Sequence, residues 1–140
     1  MDNISIKKIM HDGNLIKLHL ETKNEYVLIN QDCYIEDIKL KENCCNIIDF
    51  LSVDVENCYS EFGIISKSNT PAVSIFLKKI DLIGHILIEL DCEVCDDENR
   101  CHRCKMFVKS NISDVERFTK KLMSFSDNKA LGYASLIDEF

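Results

Sequence analysis

The chain has 140 residues, of which 46% are hydrophobic, enough for one domain that buries roughly two thirds of its unfolded surface without a metal or disulfide staple. Its 17 Lys and Arg against 24 Asp and Glu leave a net charge of −7. That balance argues against nucleic-acid and anionic-membrane partners, which need a basic stripe, and is compatible with a basic protein partner.

The first residues, "MDNISIKKIM", lack the apolar centre of a signal peptide. No run approaches the ~18 apolar residues of a spanning helix. The expected location is the cytoplasm, where thiols stay reduced, so the eight cysteines are not read as a disulfide framework.

In chain order, Ile4 and Ile6 alternate ahead of an Asp12-Gly13 turn, and Ile16, Leu18 and Leu20 resume the alternation. This is a hairpin signal. After "TKNE", the stretch "EYVLIN" predicts a third strand. The period then changes: Leu40 or Lys41, Cys44, Cys45, Ile48 and Leu51 recur at three- and four-residue spacing, predicting a helix with both cysteines near its buried face.

A short strand and turn are expected in "ENCYSEFGIISKSNTP", which ends at the only proline, Pro71. Strands follow over Ala72–Leu77 and Ile83–Cys95. In the second, Ile86, Ile88, Leu90, Cys92 and Val94 share one face; His85, Leu87, Glu89, Asp91, Glu93 and Cys95 share the other. "SDVERFTKKLMSF" predicts a helix N-capped by Ser113 with Glu116 three residues on. Its apolar stripe is Val115, Phe118, Leu122 and Phe125, with Arg117, Lys120 and Lys121 facing water. Residues 126–140 form a tail whose docking the pattern leaves open. No linker or internal repeat is legible, so residues 1–140 are expected to form a single domain.

One stretch has the residue types of a site. "CEVCDDENRCHRC" places Cys92, Cys95, Cys101 and Cys104 as two C-x2-C pairs, with His102 as an alternative ligand. Paired cysteines of this kind can close a tetrahedral zinc shell. The five residues between the pairs are short for a double knuckle.

Strand register gives the competing reading. If Cys92 faces Cys104, then Leu90 faces Met106, Ile88 faces Val108, Glu93 faces Arg103, Asp91 faces Lys105 and Cys95 faces Cys101. The two cysteines of each pair then fall on opposite faces. A redox pair of Cys95 with Cys101 is the third reading. No nucleophile elbow, glycine-rich loop or calcium-loop spacing is present, and His19 and His85 read as surface residues. No catalytic constellation assembles, so the chain is read as non-enzymatic.

"HILIELDCEV" followed by "CHRCKMFVKSNISDVERFTKKLMSF" has a further layout, a strand with alternating apolar residues feeding straight into a capped helix. In this it resembles small bacterial proteins of the WapI-type immunity family. The resemblance implies that Cys104, Met106, Val108, Phe118 and Leu122 are core positions. It also implies a cytosolic, non-catalytic protein that binds and neutralises a toxin, for which the acidic charge would suit a basic partner. The alternative is a zinc-binding or thiol-sensing module on the Cys92–Cys104 hairpin. The expected fold is α+β: a curved, mostly antiparallel sheet of about six strands with two packed helices, without a fixed oligomeric state or a required cofactor.

Overall fold

A computed structural model describes residues 1–64, 71–95 and 100–137. The fold is α+β, and its strands number eight rather than six. They form two antiparallel sheets of four instead of one curved sheet. In chain order the elements are β1 (Asn3–Asp12), β2 (Leu15–Lys23), β3 (Leu28–Glu36), α1 (Asp37–Ser52), β4 (Asn57–Ile64), β5 (Pro71–Lys79), β6 (His85–Cys95), β7 (Cys101–Asn111), α2 (Ile112–Met123) and β8 (Gly132–Ser135).

The chain runs twice through one plan: three antiparallel strands, a helix and a return strand. The return strands are exchanged. β4 pairs with β5 in the order β4-β5-β6-β7, and β8 pairs with β1 in the order β3-β2-β1-β8. The registers correspond. Ile6 lies between Leu20 and Ala134, as Ile75 lies between Leu90 and Ser60. Counted from each helix start, the buried residues coincide as Leu40 with Val115, Asn43 with Phe118, Cys44 with Thr119, Ile47 with Leu122, and Phe50 with Phe125. The sequence shows no repeat because the matched side chains differ in chemistry while matching in burial.

The local reasons are ordinary. The first hairpin turns at Gly13, whose φ of 60° costs a glycine nothing. A register shift between Lys8 and Met10 forms a bulge in β1. α2 is capped by Asn111, whose side-chain oxygen accepts from the Asp114 amide at 2.9 Å, so the expected Ser113 cap moves two residues upstream. Glu116 instead pairs with Lys120 one turn on, at 2.7 Å. The predicted stripe of Val115, Phe118, Leu122 and Phe125 is buried. Each such side chain contributes about 1.5–3 kcal/mol on leaving water. Arg117 does not simply face water, because it donates to the Asp114 carboxylate and the Leu136 carbonyl.

α1 turns a different face inward from the one expected. Its buried residues are Leu40, Asn43, Cys44, Ile47 and Phe50, while Cys45 is exposed. The helix rotates because Asn43 donates to the Glu61 carbonyl of β4 at 2.8 Å, which makes a polar residue part of the core face. The tail docks: β8 completes the first sheet and Leu136 is buried beyond it. Both sheets and both helices bury their apolar faces in one cluster. Gln31 ties the sheets together, its amide nitrogen donating to the carbonyls of Ala72 and Glu93 at 2.8 and 2.6 Å.

One buried charge anchors the turn after α2. Lys8 stands on the inner face at the place Leu77 takes in the other half, and only 1% of it is exposed. Its ammonium donates to the carbonyls of Phe125 and Asn128 beyond the C-terminal end of α2, where the helix dipole favours a cation. Burial, then Lys129, lowers its pKa.

Candidate functional site

The cysteine hairpin adopts the alternating register: Cys92 opposite Cys104, Glu93 opposite Arg103, Asp91 opposite Lys105 and Cys95 opposite Cys101. Positions 92 and 104 therefore lie on the core face and position 101 on the outer face. Cys92 is buried beside Leu90 and Met106, and burial, then Cys104 and Asp91, pushes its thiol up to about 12.

Cys33 on β3, which sequence reasoning passed over, lies close enough to feel Cys92 and is likewise pushed to about 12, chiefly by burial. Among the described residues the cysteines at positions 33, 44, 45, 58, 92 and 104 are free. Cys101 is disulfide-bonded, although the cysteines as a whole were not expected to form a disulfide framework. His102 is exposed and sits opposite Val94. Among the described residues no group of three or more His, Cys, Asp or Glu side chains could hold a metal.

The outer face of the second sheet forms a shallow groove of about 240 Å³ lined by Tyr59, Phe76, Glu89, Asp91, Arg103 and Lys105, among others. Arg103 reaches diagonally past its cross-strand neighbour and clasps Asp91 with two hydrogen bonds of 2.9 Å. That clasp holds the Asp91 carboxyl below its ordinary range against the opposing effect of burial. Lys105 makes the same diagonal shift to Glu89 at 3.6 Å. Tyr59 donates to Glu61 at 3.0 Å. These charges answer one another within the groove.

A third region lies at the end of the second sheet, where two loops meet. The loop after α1 carries Val53 and Val55; the β5–β6 turn carries Ile80, Leu82 and Ile83. All five are exposed, Leu82 completely and Ile83 to 81%. The loops are joined by the Lys79 amide donating to the Glu56 carbonyl at 3.1 Å. The Lys79 ammonium turns inward, 2.7 Å from the Val53 carbonyl and 4.8 Å from the Phe50 ring centre.

The β5–β6 turn is held firmly. One Asp81 oxygen accepts from the amides of Ile83 and His85 at 3.0 and 3.1 Å, and the other contacts His85 Nδ1 at 2.5 Å. The His85 hydrogen bond, foremost, lowers the Asp81 pKa. Gly84 takes a φ of 101°, and its carbonyl accepts from the Ile112 amide at 2.9 Å. The aliphatic side chains are thus presented on a fixed frame.

Sequence reasoning did not single out this rim. The alternation places Ile83 in a strand, and the signal present in "VDVE" and "IDLIG", aliphatics interleaved with acids beside a glycine, resembles ordinary turn sequence. Comparison with known proteins adds no relative: no family model, curated protein or solved structure matches the chain. No helix among the described residues is long and apolar enough to cross a membrane.

Proposed function

We propose that the protein is a non-catalytic, cytosolic protein-binding domain of the immunity type, which neutralises a basic toxin by direct binding. The observation that carries this reading is the rim of five exposed aliphatics on two loops joined by the Lys79–Glu56 hydrogen bond, the β5–β6 turn being held by Asp81. Large exposed aliphatic side chains grouped on neighbouring loops have a cost in water that a partner removes. The net charge of −7 supports a basic partner, since complementary charge speeds encounter and disfavours wrong partners. The test is calorimetric titration of the protein with the product of a toxin-like gene adjacent to its own. A complex at micromolar concentration or tighter is expected; no heat and no co-elution at that concentration would sink the immunity reading.

A thiol-responsive or zinc-binding module on the Cys92–Cys104 hairpin is the second reading, and the bonded state of Cys101 favours its redox form. Reduction should expose two further titratable thiols, and an unchanged thiol count would remove the redox form. The zinc form requires close to one equivalent of metal in untagged protein; less than about a tenth of an equivalent discards it.

A further inference from the structure

We infer that the rim formed by residues 53–56 and 80–84 is the docking surface, and that its occupant is a basic amphipathic segment of a partner protein. In such a segment aliphatic side chains alternate with Lys or Arg. The inference rests on the protein-binding reading and deepens it by naming the surface and the partner's chemistry.

The argument is one of charge and shape together. Asp54, Glu56 and Asp81 lie among the five aliphatics, and Asp54 and Glu56 are exposed. α1 also ends at the rim, where the Lys79 ammonium on the Val53 carbonyl offsets the negative end of its dipole. Lys79, on the Val53 carbonyl and the Phe50 ring, offsets one of these three carboxylates; His85 pairs with Asp81, Lys78 lies on the outer face of β5 opposite Asn57 and Leu87, and Asp54 and Glu56 keep the rim acidic. A partner must therefore bring apolar side chains for Leu82 and Ile83 and cations for Asp54 and Glu56. A second copy of the chain would set acid against acid, and an anionic bilayer would be repelled. The β5–β6 turn is already held by the Asp81 carboxylate, so docking loses little conformational entropy there.

The probe is a fluorescein-labelled synthetic peptide of Leu and Lys at amphipathic helical spacing, titrated by anisotropy, with a Leu and Glu peptide of the same spacing as control. The wild-type protein should bind the Lys peptide and not the Glu peptide. The double variant Leu82→Ser/Ile83→Ser should bind at least about tenfold more weakly, because two aliphatics lose their burial. The double variant Asp54→Lys/Glu56→Lys should reverse the preference towards the Glu peptide. Circular dichroism matched to wild type confirms that each variant folds. Wild-type protein that binds neither peptide, or Lys-peptide binding unaffected by Leu82→Ser/Ile83→Ser, overturns the inference. So does a dimer in sedimentation that this variant abolishes, which would make a second copy the occupant. A toxin that binds wild type and Leu82→Ser/Ile83→Ser alike leaves the protein-binding reading standing and removes this surface; a toxin that binds neither removes the immunity reading itself.

Discussion

Alkali should unfold this protein through its buried thiols. Cys33, Cys44 and Cys92 are almost fully enclosed, and burial pushes each from an ordinary value of 9.0 to about 12. Below pH 9 each thiol is neutral in both the folded and unfolded states, and its contribution is fully present. As pH rises from 9 towards 12 the unfolded chain gives up these protons while the folded chain keeps them, so stability falls. At pH 10, one unit above the unfolded value, each thiol removes about 1.4 kcal/mol, and the three together about 4 kcal/mol. That is comparable with the whole stability of a marginal domain, about 5–15 kcal/mol.

Lys8 acts in the opposite sense, since its lowered pKa makes folding more favourable as pH rises towards 10.5. A difference between variants cancels that effect. Urea denaturation under argon at pH 8 and pH 10 should show a smaller drop in Cys44→Ala than in wild type, by about 1.4 kcal/mol. Cys45→Ala, at an exposed neighbour on the same helix, should show the wild-type drop. Equal drops in both variants would refute the assignment of Cys44 to the core as a protonated thiol.

Three further outcomes follow from the same geometry. Lys8→Met keeps the length of the side chain but leaves the Phe125 and Asn128 carbonyls without their cation; it should cost about 1–3 kcal/mol in urea denaturation, and an unchanged midpoint would contradict the anchoring role. Gly63 has a φ of 77°, and an added Cβ would lie 2.9 Å from both Cys33 Cβ and the Tyr34 carbonyl oxygen, so Gly63→Ala should lower stability by at least about 2 kcal/mol; a melting temperature equal to wild type would show that β3 and β4 do not meet there. Asp81→Ala should abolish the hydrogen-exchange protection of the Ile83 and His85 amides while leaving the β6–β7 ladder protected. In the wild type that protection should be present above the ordinary carboxyl range and disappear as pH falls through the lowered Asp81 pKa; protection unchanged in Asp81→Ala would show that the carboxylate does not clamp the turn.

What was legible in the sequence was whatever a regular period could write. The first hairpin follows from alternating Ile and Leu about Gly13. The β6–β7 register follows because one alignment sets acid against base outside and apolar against apolar inside. The phase of α1 was not legible, because a buried Asn43 is recognisable only once the Glu61 carbonyl is beside it. β8 was hidden by its length: the four residues "GYAS" carry no alternation, and their pairing with Ser5–Lys8 depends on a return across the whole chain. The duplication was hidden for a related reason, since Lys8 answers Leu77 and Asn43 answers Phe118, pairs equal in burial and unlike in chemistry. Of the four hairpin cysteines, Cys92 packs in the core and Cys101 is disulfide-bonded. The rim became visible only when Val53 and Val55 were placed beside Ile80, Leu82 and Ile83 by a single hydrogen bond between distant loops.

The central claim, that this rim meets a basic protein partner, is tested most directly by a two-dimensional ¹H–¹⁵N NMR titration of the full chain with the Leu and Lys peptide. Perturbation concentrated at residues 53–56 and 80–85, saturating with added peptide, is the predicted result. Perturbation centred on Asp91 and Arg103, or on the Cys92–Cys104 hairpin, with residues 80–85 unmoved, would contradict it.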